Sequence, residues 1–127
     1  APIYGSDSSR AALKATQQNL EAAEVDNAVS IQQAKFEATT PPDSSGGLLI
    51  MNPPYGERLQ QDHLVAFYKR IGDKLKQDYP GWQAWIISSD IEALKQVGLK
   101  TSRKIPLYNG KLECRFNRFD LYKGSKR

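Results

Sequence analysis

The sequence predicts an α/β domain whose mostly parallel sheet ends in an antiparallel hairpin. Three observations point there. Leu48-Leu49-Ile50-Met51 is a short apolar run with the length and composition of a buried parallel strand. Apolar residues at 64, 67, 68, 71 and 75 then repeat at helical spacing before the next strand-like run, Trp82 to Ser88. Near the end, Thr101–Leu107 and Lys111–Tyr122 flank Tyr108-Asn109-Gly110, and Asn-Gly is a strong hairpin-turn signal.

Taken in order, the chain opens on Ala1-Pro2 and an already apolar Ile3-Tyr4-Gly5, which reads as a strand entered from upstream sequence. Ser6-Asp7-Ser8-Ser9 supplies N-cap candidates for a helix over about Ser9–Ala23, with Leu13, Leu20 and Ala23 on one face. Val25-Asp26-Asn27 closes that helix, and Val29–Gln33 alternates as a short strand. Ala34–Gly47 reads as loop, since Pro41-Pro42-Asp43-Ser44-Ser45-Gly46-Gly47 is turn-forming and polar. Asp62 is the expected cap of the second helix, and Tyr79-Pro80-Gly81 its stop. Ser89 or Asp90 caps a short helix ending at Gly98. In the last strand the alternation Leu112, Cys114, Phe116 slips to Phe119, Leu121, which suggests a bulge around Asn117-Arg118.

At 127 residues the chain holds at most one domain. Its single cysteine, Cys114, excludes an internal disulfide and a cysteine zinc site, and fits a reducing, cytoplasmic compartment. A lone histidine, His63, argues against a histidine metal centre, so no metal ligands are expected. No run approaches the ~20 apolar residues of a membrane span. From Lys95 onward ten Lys and Arg face two acids, a net of +8, whereas residues 1–94 carry a net of −4. A basic C-terminal quarter suits an anionic partner, nucleic acid before membrane; it also suits a sheet edge kept soluble by lysines.

The chemistry concentrates in Asn52-Pro53-Pro54-Tyr55. Two prolines after a strand end its hydrogen-bond ladder and stiffen the turn, at the sheet end where α/β folds place ligands. An exocyclic amine conjugated into a base is a poor nucleophile. The Asn52 side-chain oxygen and the Pro53 carbonyl could hold its N–H groups and favour a more tetrahedral nitrogen, and Tyr55 could stack on the ring. Without that chemistry, the same stretch is a proline-stiffened surface turn. Asp7, after a strand and before a helix, is placed to accept ribose hydroxyls or to help cap the helix. Arg58 and the hairpin cations Lys100, Arg103, Lys104 and Arg115 are candidates for nucleic-acid phosphates. Trp82 and Trp85 are expected in the core, His63 has no chemical role, and Cys114 is a small buried hydrophobe.

Asn52-Pro53-Pro54-Tyr55-Gly56-Glu57-Arg58-Leu59, with Tyr4-Gly5-Ser6-Asp7 before it and Leu107-Tyr108-Asn109-Gly110-Lys111-Leu112-Glu113-Cys114 after it, resembles a known family. The likeness is to class I S-adenosylmethionine-dependent methyltransferases of the large-subunit ribosomal RNA guanine-N2 type, also labelled N6-adenine-specific DNA methylases. It covers nearly the whole chain. The resemblance implies a Rossmann-like sheet with a terminal antiparallel strand, S-adenosylmethionine as methyl donor, and ribosomal RNA as partner. It further implies that Asp7 and Asn52 contact the cofactor and that Asn52, Pro53, Pro54 and Tyr55 form the target-amine site.

Two departures from the family pattern accompany it. The Gly-rich loop that cradles the cofactor's methionine part is missing, since Gly46-Gly47 lies elsewhere and opens no helix. Lys35 stands where an acid usually meets the adenine amine, and an ammonium cannot accept that bond. Residues 1–127 are therefore expected to be the C-terminal portion of such a domain, lacking the central first strand, binding donor weakly and inactive alone. Exposed sheet edges would then make self-association an expected behaviour. Two alternatives remain open: a non-catalytic nucleic-acid-binding module, and a DNA adenine-N6 methyltransferase.

Overall fold

The structure, a computed structural model, describes residues 2–43, 45–53 and 61–123. Its strands fall into two sheets, and the chain divides into compact units of residues 1–42 and 43–127.

In the first unit, β1 (Ile3–Asp7) and β2 (Val29–Gln33) pair in parallel from Ile3 opposite Val29 to Asp7 opposite Gln33. The crossover between them is α1 (Arg10–Ala22), packed on both strands. Ser9 is its N-cap, its hydroxyl accepting the Ala12 N–H at 3.1 Å. The helix ends in a Schellman arrangement: Val25 N–H reaches Leu20 O and Glu24 N–H reaches Glu21 O, both at 3.0 Å. That geometry requires a left-handed residue, here Glu24 at φ 60°. Leu13 and Leu20 are half-buried, whereas Ala23, expected on the same stripe, is exposed. Within the expected loop, Phe36–Ala38 forms one 3₁₀ turn, with the Thr39 hydroxyl donating back to Phe36 O at 2.8 Å.

The second unit is a four-stranded sheet in the order β3 (Leu48–Met51), β4 (Gln83–Ser88), β6 (Leu112–Asp120), β5 (Thr101–Asn109). The β3–β4 pair is parallel, and β6 lies antiparallel between β4 and β5. Two helices complete it: α2 (Gln61–Asp78) and α3 (Ile91–Lys95). The helical spacing read from sequence is realised in α2, where Leu64, Tyr68, Ile71 and Leu75 are all buried and Phe67 is half-buried. Helix α2 already includes Gln61, so Asp62, the expected cap, stands within the helix rather than ahead of it. The cap of α3 is Asp90, whose Oδ1 accepts the Ala93 N–H at 2.9 Å.

The two faces of this sheet differ. Ala84, Ile86 and Ser88 are fully buried on the inner face. Gln83, Trp85 and Ile87 alternate onto the outer face, where Trp85 stacks on Phe116 at 4.7 Å and Leu48 and Ile50 stay exposed. Alternation runs unbroken through β6: Phe116 belongs to the outer face, while Asn117 and Phe119 follow the register onto the faces of Ile86 and Ala84. The irregularity predicted at Asn117-Arg118 lies instead on β5, where Ser102 is the extra residue between Thr101 and Arg103. At the hairpin tip β5 runs on to Asn109, which pairs with Leu112, so Gly110 (φ +65°) and Lys111 make the two-residue turn.

Gly46 and Gly47 have packing roles. A side chain at Gly46 would strike Gly81 O, and one at Gly47 would come 2.7 Å from the Trp82 ring. The Trp82 indole N–H donates to Asp43 O at 3.0 Å, fixing the loop on the ring. Beside it, the Asp43 carboxylate accepts the Ser45 hydroxyl and backbone N–H, which holds its pKa below the ordinary 3.8.

Candidate acceptor site and basic pocket

The parallel register of β3 on β4 puts Met51 opposite Ile86, so Asn52 and Pro53 leave the sheet at its carboxyl end beside Ile87 and Ser88. Pro53 is buried and Asn52 exposed. The chain thus anchors its first motif proline and presents the amide next to it. Pro54, Tyr55 and Arg58 lie outside the described residues.

The end of β4 beside the motif is held by a relay of hydrogen bonds not read from the sequence. Tyr68 OH from α2 meets Ser88 Oγ at 2.8 Å, and the same Oγ accepts the Asp90 N–H at 3.0 Å. Asp90 in turn caps α3. Ser88 is fully buried, so the relay fixes where α3 starts relative to the motif-bearing end of the sheet. A serine ending an alternating apolar strand, two residues before a capping aspartate, was the available signal.

Asp7 ends β1 and is exposed; its Oδ1 accepts the Ser9 N–H at 2.7 Å, while its backbone O accepts Ala34 N–H. The carboxylate therefore braces the turn into α1 with one oxygen, and the capping itself is done by Ser9. Lys35, exposed, precedes the Phe36–Ala38 turn.

The sheet divides the hairpin cations. Lys104 pairs with Asn117 and, by alternation, shares the inner face with Arg115, whereas Arg103 pairs with Arg118 on the outer one. Lys100 is exposed ahead of β5. Arg118 holds Asp120 through two hydrogen bonds of 3.0 and 3.2 Å, which lowers the Asp120 pKa below its ordinary 3.8. Lys104 and Arg115 instead line a pocket of about 310 Å³ against α3, with Ile91, Leu94, Lys95, Thr101 and Asn117. Lys95 and Asn117 were not foreseen as neighbours of these cations: the first only opened the count of the basic C-terminal quarter, and the second marked the suspected bulge with Arg118. Cys114 is buried as expected, and Trp82 is buried while Trp85 is half-buried.

The model of the family described as "RMKL-like, methyltransferase domain" matches residues 1–118. The chain belongs to that family. Its membership agrees with the resemblance carried by the Asn52 motif. The Ribosomal RNA large subunit methyltransferase K/L of Shewanella loihica is 39% identical over 126 residues, covering 98% of this chain and 18% of that protein. SMU.472, assigned as a methyltransferase and crystallised with SAH, superposes with a TM-score of 0.87 at 25% identity, over 97% of this chain and 32% of its own. A Clostridium difficile 630 protein assigned as a methylase gives 0.86 at 29% identity, over 99% of this chain and 33% of its own. This RMKL-like chain therefore spans about a third or less of each of these proteins. The mixed sheet, parallel at β3–β4 and antiparallel around β6, is the Rossmann-like methyltransferase arrangement of those neighbours.

Proposed function

We propose that residues 1–127 form the acceptor side of an S-adenosylmethionine-dependent methyltransferase that modifies an exocyclic amine in RNA, the N2 of a guanine in large-subunit ribosomal RNA. The observation that carries this reading is the placement of Asn52. It is an exposed amide beside a buried proline, directly after a strand parallel to β4, at the sheet end that α/β folds use for ligands. The ribosomal RNA methyltransferase from Shewanella loihica supports RNA as the substrate class.

In this reading S-adenosylmethionine supplies the methyl group. The chain's own residues act on the amine. Asn52 Oδ1 and the Pro53 carbonyl accept its two N–H groups, which turns the nitrogen lone pair away from the ring and toward the methyl donor. Tyr55 stacks on the base, and flipping the target nucleotide out of its helix brings it there. No strong base is needed, since the amine gains its bond before it loses its proton.

The described residues fit the donor only in part. Asp7, with one carboxylate oxygen engaged by Ser9, suits a ribose hydroxyl with the other. Lys35 cannot accept from an adenine amine, and Gly46 and Gly47 are packed against Gly81 and Trp82 instead of forming a loop for the donor's methionine part. Weak donor binding by residues 1–127 follows, and with it the proposal that activity belongs to a longer protein containing them.

Two measurements test this. Calorimetry of the 127-residue chain with S-adenosylmethionine is expected to show no micromolar binding; such binding would overturn the division of labour. In the longer protein, Asn52→Ala is expected to lower methyl transfer to RNA by about a hundredfold or more, as for loss of one preorganised polar group. Near-normal transfer by that variant would remove the amine site.

A further inference from the structure

The β5–β6 hairpin overhangs the sheet at the end that carries the candidate acceptor site. Strand β4 ends at Ser88 opposite Arg115, so residues 112–114 of β6 pair with β5 alone among the described residues. Because β4 runs toward Ser88 in parallel with β3, this overhang leaves the same sheet end as Asn52 and Pro53. Three strand spacings separate β3 from β5 in the order β3-β4-β6-β5, about 14 Å across the sheet.

The overhang carries an uncovered ring. Tyr108, opposite Glu113 in the register, is 68% exposed, and its side chain makes no hydrogen bond or ring contact among the described residues. By alternation Pro106 and Lys104 precede it on the same face, both exposed. The charges around it are out of balance. Both acids of the hairpin are already held, Glu113 by Arg115 and Asp120 by Arg118. Lys104 and, at the turn, Lys111 have no carboxylate partner among the described residues.

A bare aromatic ring between two uncommitted cations is complementary to a nucleobase with a phosphate on either side. An apolar protein segment would use the ring and leave the cations idle. Bases within a duplex are already stacked on both faces, so the strand that fits is single.

We propose that Tyr108 stacks on an unpaired base of the RNA substrate a few nucleotides from the methylated one, with Lys104 and Lys111 against the neighbouring phosphates. The hairpin tip thereby holds the strand that presents its target amine to Asn52. This rests on the RNA reading above for its ligand, but its contacts involve none of the amine-site residues.

The test is binding of a fluorescent single-stranded RNA 12-mer to the 127-residue chain at several salt concentrations. Tyr108→Ala is expected to weaken binding by about fivefold or more, as for loss of one base–aromatic stack, with the salt slope unchanged. Tyr108→Trp keeps the affinity, and its added indole emission is quenched as RNA saturates the chain. Lys104→Gln and Lys111→Gln each lower the salt slope by about 0.7, the value for one phosphate contact on a single strand. Tyr122→Ala removes another exposed tyrosine, 64% exposed and past the far end of β6, and leaves binding unchanged. All these positions are exposed, so each variant keeps the urea midpoint of the wild type. Wild-type affinity in Tyr108→Ala overturns the proposal, as does an unquenched Tyr108→Trp or an equal loss in Tyr122→Ala. So do unchanged salt slopes in both lysine variants, or no RNA binding at all. Failure of the amine-site reading shows separately, as near-normal methyl transfer by Asn52→Ala in the longer protein, where Tyr108→Ala instead raises KM for RNA.

Discussion

Gly72 in α2 lies against the backbone of Val97, so close that a methyl group at Gly72 would stand 1.7 Å from the Val97 carbonyl oxygen. Both residues are buried. The contact seats the segment leaving α3 directly on α2, and only the absence of a side chain permits it. Gly72→Ala improves helix propensity by about 1 kcal/mol, yet forces backbone apart. Overpacking wins: the variant is expected to lose about 3 kcal/mol or more, read as a lower urea midpoint. A stabilised variant would show that α2 and Val97 do not meet.

At the end of α1 the balance has the opposite sign. Glu24 holds φ 60° in the Schellman turn, a conformation that costs a non-glycine residue about 1–2 kcal/mol. Glycine recovers that strain but loses more chain entropy on folding, about 0.5–1 kcal/mol. Glu24→Gly is therefore expected to stabilise the first unit by up to about 1 kcal/mol, seen as a higher melting temperature of the helical circular dichroism signal.

The Arg118–Asp120 pair gives a pH dependence. Asp120 titrates below its ordinary 3.8 in the folded chain because Arg118 hydrogen-bonds the charged form. A depressed carboxyl pKa adds stability that is complete above the unfolded value, and that stability is lost as pH falls through the folded one. Carbon-detected NMR titration should place the Asp120 midpoint below 3.8 and return it toward that value in Arg118→Gln.

Asn117 should behave unlike most buried residues. Its Oδ1 is unpaired, so replacing the amide by leucine removes a desolvated acceptor and adds apolar volume to the inner face. Asn117→Leu is expected to be neutral or stabilising by up to about 1 kcal/mol in denaturant unfolding. A loss of several kcal/mol would mean that the amide is satisfied in solution.

These contacts show where sequence was a sufficient guide. The α2 stripe was legible because Leu64, Tyr68, Ile71 and Leu75 all repeat at helical spacing and all bury. The hairpin was legible from Asn109-Gly110, whose turn needs a left-handed residue. The Ser102 bulge was not, since an extra residue in one strand depends on what its partner presents, and Asn117 imitated a slip by being a polar residue on a buried face. Of the candidate site, the placement of Asn52 and Pro53 followed from strand plus proline. The separation of Arg103 from Lys104 followed only from the register, and the pocket formed by Lys95 with the hairpin needed the third dimension.

One consequence concerns the strand that carries Asn52. Among the described residues β3 is hydrogen-bonded on one side only, to β4, whereas β6 is flanked on both. Within this sheet, amide protons should therefore exchange with deuterated water in a gradient, slowest in the central β4 and β6 and faster in the two edge strands, β5 and the Leu48–Met51 strand. The lifetime of the ladder under the motif, rather than the identity of its residues, would then limit how steadily Asn52 is aimed. Anything that paired with the other side of β3 would sharpen that aim without touching the amide itself.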